Sequence, residues 1–172
     1  MGKVVEADDR ARLAEFPGGM MFELGCHLID LVVGFLGRPD SVSPHLRTTR
    51  SDSLADNAVA VLEYPKALAT ISSSALEVEG FARRHLTILG TEGSLTIEPL
   101  DQPAVRLALS QARGEYRKGY QTITLPKYDR YVADAHDIAR VIRGEKPPDW
   151  SPRHDLVVQE TVLLASAMPI DR

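Results

Sequence analysis

Between Gly18 and Leu36 the chain reads GGMMFELGCHLIDLVVGFL, with apolar side chains almost all the way round a helical wheel, and Gly37 and Pro39 follow at once. A glycine just past the last turn and a proline beyond it are the usual stops, so the segment predicts a largely buried helix over 18–36. Such a helix needs a surface to pack on, and the sequence downstream supplies strands. DNAVAVLEYP and KALATISSSALE alternate in apolar character on either side of Tyr64-Pro65-Lys66, and RRHLTILG is joined to SLTIEPL by GTEG. Alternation bounded by turn residues predicts two antiparallel hairpins. AVRLALS and QTITLP add two strands around a polar, basic loop holding Arg113, Gly114, Arg117 and Gly119. Near the amino terminus GKVVEAD has the look of a further strand, and the fold begins with no preamble, as though a segment precedes it.

From Asp129 the period changes. DRYVADAHDIARVIRG places Tyr131 or Val132, Ala135, Ile138, Ala139 and Ile142 on one stripe, an amphipathic helix ending at Gly144. EKPPDWSP is a rigid connector, in which Ser151 and Pro152 serve as N-cap and first residue of a final helix to about Ala167. One strand, one helix, about six mostly antiparallel strands and two helices make an α+β chain. The expected architecture is a single domain over 1–172, a large, mainly antiparallel sheet with helices packed on one face. In TISSSALE one face carries Thr70, Ser72 and Ser74 and the other Ile71, Ser73 and Ala75, so the open face is either solvated or close enough to a second subunit for oligomerisation.

Composition removes several classes of function. The formal charge of -4 lacks the basic excess that phosphate-backbone binding requires, so nucleic acid is not an expected partner. Cys26 is the only cysteine, which excludes an intrachain disulfide and a Cys-based zinc cluster and favours a reducing, cytoplasmic setting. The first residues lack the apolar core of a signal peptide. The most apolar window, LIDLVVGFLG, is short and contains Asp30, well under the roughly 20 apolar residues of a membrane helix.

Glu23, His27 and Asp30 stand four and three residues apart, so on a regular helix they share one face. Ionisable groups on so apolar a helix must be paired, capped by other segments or lining a cleft. Three readings follow: a structural tie to neighbouring backbone, a metal site of imidazole and carboxylates, or proton transfer by a histidine held near a carboxylate. Spacing alone does not choose among them. Gly18 and Gly19, ahead of the helix, either make a simple turn or admit a ligand close to free backbone N–H groups.

Taken together, GG-x-x-x-E-x-G-x-H-x-x-D resembles the signature of the Gfo/Idh/MocA oxidoreductases, commonly GGG-x-x-x-D-x-G-x-H-x-x-D, at the start of that family's second domain. LTILGTEGSLTI is similar to the family's glycine-turn hairpin, and the closing helix pair around GEKPPDWSP resembles its carboxyl-terminal end. The resemblance implies a sheet whose open face forms a dimer or tetramer contact. It also implies a sugar, inositol or related polyol substrate lying between this domain and an amino-terminal Rossmann domain that holds NAD or NADP. By position His27 is implied as the group exchanging a proton with the reacting oxygen, with Glu23 beside it where the family has Asp. Gly19 and Asp30 are candidate substrate contacts. Arg83 and Arg84, with His85, open an expected strand and are either solvated edge charges or, pointing into a polyol cleft, donors suited to hydroxyls or carboxylates. Tyr120, Tyr128, Tyr131 and Arg117 surround a loop that either packs or covers a ligand, Trp150 either anchors the connector or stacks on a sugar, and His45, His136 and His154 have no identifiable partner.

No G-x-G-x-x-G occurs, so the chain is expected to hold no nicotinamide cofactor by itself, and no metal is expected because Glu-x-x-x-His alone is a weak signal and no second helix offers a matching cluster. The family's Glu-Lys-Pro lysine of the first domain is absent as well, since EKP at Glu145–Pro147 lies between the last two helices. The chain is thus expected to be the substrate and oligomerisation domain of a nicotinamide-dependent oxidoreductase, inactive alone. The alternative is a stand-alone binding or scaffolding module without catalysis.

Overall fold

The computed structural model describes residues 7–126, 129 and 131–170, with the side chains of residues 7 and 8 excepted. The expected strand GKVVEAD falls mainly outside these residues, and where description begins the backbone is helical: α1 spans Ala7–Leu13. The described residues up to 77, with those from 144 on, form one compact unit, and the described residues between 78 and 143 a second.

In the first unit the apolar segment is helical as expected but not uniformly so. A π turn, Met21–Gly25, precedes α2, Cys26–Leu36. Gly37, in a positive-φ conformation (φ 76), ends α2 by donating its N–H to the carbonyl of Val33. Three antiparallel strands follow, β1 (Ser41–Arg47), β2 (Asn57–Tyr64) and β3 (Ala67–Ser74), in the order β1-β2-β3. β1 was not anticipated. Its alternation, Val42, Pro44, Leu46, contains a proline, which is tolerated because β1 lies at the sheet edge.

Register fixes which residues share a face. Leu62 pairs with Val42 and Ala69, and Ala60 with Pro44 and Ile71. These residues point to the core, where Ala58, Ala60, Leu62 and Ile71 are buried with Met21, Ile29 and Val33 of the helical segment and Val162 and Ala165 of α5, Pro152–Ala165. Each large side chain so buried contributes about 1.5–3 kcal/mol. Ser151 caps α5, its hydroxyl accepting the N–H of His154 at 3.2 Å, and Pro152 takes the first helical position. Helices therefore cover one face of this sheet. On the other face Ser43, Val61 and Thr70 form one cross-strand row and His45, Val59 and Ser72 the next, with no described helix of this unit over them.

The second unit begins with a short helix, α3 (Gly80–Arg83), and continues as β4 (Leu86–Gly90), β5 (Gly93–Ile97), β6 (Val105–Leu109) and β7 (Gly119–Ile123), an antiparallel meander in that order. The α+β class stands, but the strands divide into a three- and a four-stranded sheet rather than one large one. The break falls after β3, where Glu79 adopts a left-handed conformation (φ 56) and α3 takes up chain that would otherwise extend a strand. α4, Val132–Ile142, forms where expected and is followed by Gly144. Its apolar stripe is not buried as anticipated: no residue of α4 is buried, and Ile138 and Ile142 are exposed. The amphipathic pattern specified the helix, while burial of the stripe requires a surface that the described residues of this unit do not supply. Among the described residues no helix is long and apolar enough to cross a membrane.

Candidate functional site

Glu23 lies inside the π turn, whose hydrogen bonds run from i to i+5. The even spacing expected of residues 23, 27 and 30 on a regular helix therefore fails at its first member. The widened turn leaves the Glu23 carbonyl to accept the thiol of Cys26 at 3.4 Å. Burial raises the Cys26 pKa, so this thiol stays protonated and is a poor nucleophile.

His27 and Asp30 lie on α2 and both are exposed, with Glu23 half-buried. The polar seam is thus an edge of the helix rather than a stripe through the core, and it avoids the large desolvation cost that its apolar sequence context implied. Among the described residues the His27 imidazole has no hydrogen-bond or ion-pair partner. Asp30 has one, which the sequence did not reveal: Nε2 of His154, on α5, lies 3.0 Å from Asp30 Oδ1. His154 in turn stacks on Trp150, with ring centroids 4.3 Å apart. No group of three His, Cys, Asp or Glu side chains among the described residues is placed to hold a metal ion.

The paired glycines are explained by packing. Gly19 has a positive φ of 55°, and a Cβ there would stand 2.5 Å from the carbonyl oxygen of Ala55. A Cβ on Gly18 would meet Ser166 Cβ at 2.5 Å and Phe22 Cβ at 2.6 Å. Both sit where backbone and helix come too close for a side chain.

Arg83 and Arg84 do not open a strand; Arg83 ends α3 and Arg84 caps it. The Arg84 guanidinium lies 4.1 Å from the Phe81 ring centroid, and its Nη1 donates to Asp101 Oδ2 at 3.4 Å. His85 Nδ1 lies 3.1 Å from the Arg83 carbonyl. These residues belong to the second unit, whereas Glu23, His27 and Asp30 belong to the first. Arg117 Nη2 donates to the Tyr120 carbonyl at 3.1 Å within its own loop. Tyr120 and Tyr131 are exposed, and Tyr128 falls outside the described residues.

Sequence reasoning also missed a buried charge network beside the glycine turn. Arg10 of α1, 3% exposed, donates from Nε to Asp52 Oδ2 at 2.7 Å and from Nη2 to Asp52 Oδ1 and Asp56 Oδ2, each at 2.9 Å. Asp56, 0% exposed, also accepts the N–H of Thr49 at 3.0 Å and its hydroxyl at 2.8 Å. Arg10 holds Asp52 below the usual carboxylate range. For Asp56, burial acts to raise the pKa, but the bonds from Thr49 and Arg10 outweigh it and the net shift is downward. The partners are 42 and 46 residues apart, beyond the reach of any local pattern.

An α+β domain with its helical polar edge exposed at the start of the fold is the class that the geometry defines. Residues 2–96 match the family model described as the GFO/IDH/MocA C-terminal domain, and the chain belongs to that family. No curated protein matches it. Among solved structures, an oxidoreductase from Agrobacterium radiobacter in complex with NAD+, L-tartaric acid and magnesium is similar over 93% of this chain and 50% of its own, with TM-score 0.71 and 15% identity. A Klebsiella pneumoniae protein classed as an oxidoreductase covers 88% of this chain and 48% of its own, with TM-score 0.69 and 22% identity. UDP-N-acetylglucosamine 3-dehydrogenase from Acidithiobacillus ferrooxidans covers 87% and 46%, with TM-score 0.68 and 17% identity. The chain thus spans about half the length of these proteins.

Proposed function

We propose that residues 1–172 form the substrate-binding and oligomerisation domain of a cytoplasmic, nicotinamide-dependent oxidoreductase acting on a CH–OH group of a sugar or related polyol. The observation that carries this reading is the exposed, unpaired His27 imidazole, set in the family's motif between Glu23 and Asp30. The solved neighbours include a sugar-nucleotide dehydrogenase and an oxidoreductase in complex with NAD+, which supports the substrate class and the cofactor. The chain has no dinucleotide-binding glycine motif, so its residues do not fit NAD or NADP, which belongs to the other half of such an enzyme. What this chain supplies is the proton side of the reaction. Removing hydride from a carbinol carbon leaves a carbonyl only if the hydroxyl proton also departs, and His27 Nδ1 or Nε2 takes it. Glu23 and Asp30 contribute acceptors for neighbouring hydroxyls. The open face of β1-β2-β3, lined by Val59, Val61, Thr70 and Ser72, is the proposed subunit contact.

His27→Ala in the complete enzyme tests this. Turnover is expected to fall about a hundredfold or more, the scale of a general base. Because His27 is exposed, folding stability should change by no more than about 0.5 kcal/mol. Unchanged turnover refutes the assignment.

A further inference from the structure

We propose that His154 is a positioning residue that holds the Asp30 carboxylate on the His27 edge of α2, through a four-residue clasp closed by Trp150 and Gly34. The proposal rests on the reading of that edge as a substrate site. Asp30 and Gly34 are four residues apart on α2, and Trp150 and His154 are four apart around the start of α5, so each pair lies one turn apart or nearly so. Asp30 Oδ1 accepts from His154 Nε2 at 3.0 Å; the His154 ring stacks on Trp150; and Trp150 lies over Gly34, where an added Cβ would come 3.3 Å from the indole. Just past the end of α2, Arg38 Nη2 donates separately to Glu160 Oε1 of α5 at 2.6 Å.

The two partners differ in environment, and the difference gives the direction of action. The His154 side chain is 13% exposed and fixed by stacking, whereas that of Asp30 is 58% exposed. Histidine is therefore the anchor and the carboxylate the group presented to solvent. Only Oδ1 is used: among the described residues Oδ2 has no partner. Asp30 sits three residues from His27, on the same face of α2. A carboxylate with one oxygen tied and one free is an oriented acceptor for a hydroxyl, and holding its rotamer in advance removes the entropy cost of ordering it on binding. Solvent-exposed carboxylates without such a partner sample several rotamers.

Two measurements test the clasp. In the chain itself, long-range 1H–15N spectra should show His154 protonated at Nε2, with that signal shifted by Asp30→Ala and the ring-current shift at His154 lost in Trp150→Leu. In the complete enzyme, a panel of polyols and sugars with NAD and NADP should show His154→Ala raising KM about three- to tenfold, the cost of ordering one side chain on binding, with kcat largely kept. His154→Gln, whose side-chain amide can donate in place of Nε2, should restore most of the loss. Asp30→Ala should cost at least as much as His154→Ala, and the double variant should be no worse than Asp30→Ala alone. Additive losses, an unchanged KM in His154→Ala, or an Nδ1–H tautomer overturn the proposal. Failure of the function proposed above looks different: a wild-type enzyme inactive on the whole panel, with the Nε2–H signal of the clasp intact.

Discussion

Truncating Arg10 to Ala should damage the first unit through its buried charge network. Its guanidinium makes three hydrogen bonds, two to Asp52 and one to Asp56, and is itself almost fully buried. Removing one partner of a buried ion pair costs about 3–5 kcal/mol, because the remaining charge stays desolvated. Here three features bring the cost below that range. Asp52, 38% exposed, is free to rehydrate; Asp56 keeps both bonds from Thr49; and Arg10 Nη1, buried without a partner, carries a penalty of about 1 kcal/mol or more that the truncation removes. The expected loss is about 2–3 kcal/mol, read from urea unfolding of the chain, which for a protein of this size corresponds to a fall in Tm of roughly 4–12 °C. Asp56→Ala should cost as much, and Asp52→Ala about 1 kcal/mol. A loss below about 1 kcal/mol for Arg10→Ala, or equal costs at Asp52 and Asp56, would show that the burial argument is wrong.

The same network sets an acid response. Asp52 and Asp56 titrate below the ordinary Asp value of about 3.9, so their contribution is complete above that pH and is lost as pH falls through the lower, folded-state values. Unfolding followed by circular dichroism should therefore steepen below about pH 4, and Arg10→Ala should lose most of that dependence. Gly19→Ala should cost about 2 kcal/mol or more in urea unfolding, from a left-handed φ plus the clash with the Ala55 carbonyl. Gly37→Ala, with open space around it but φ 76 and ψ −154 in a region essentially confined to glycine, should cost about 1–3 kcal/mol in the same assay from backbone strain alone, and no loss would refute that reading. Thr70→Arg, on the open sheet face, should shift sedimentation toward the monomer, and a wild type that is monomeric at every concentration would remove that face as a subunit contact.

Much of the fold could be read because it is written in local patterns. The hairpins at residues 57–74 and 86–97, the strands at 105–109 and 119–123, and α4 and α5 each depend on alternation, helical period or a capping residue, signals confined to a few neighbouring positions. β1 escaped because its serines and Pro44 weaken the apolar alternation, and an edge strand tolerates what a central one does not. The π turn escaped because hydrophobic periodicity does not distinguish a locally widened turn within a segment that is apolar on every side.

The candidate site divides along the same line. The sequence alone determined that His27 and Asp30 would share a helical face next to a glycine turn, since that follows from spacing along one element. Only the tertiary structure decided that this face is an exposed edge, that Gly18 and Gly19 are required by Ser166 and Ala55, and that Asp30 is held by His154 from 124 residues away. Arg10 finding Asp52 and Asp56 is a decision of the same kind. The physical reason is range: periodicity and capping are set by backbone geometry within about one or two turns. Burial and ion pairing depend instead on which distant segments the packed core brings together, and no local pattern encodes that.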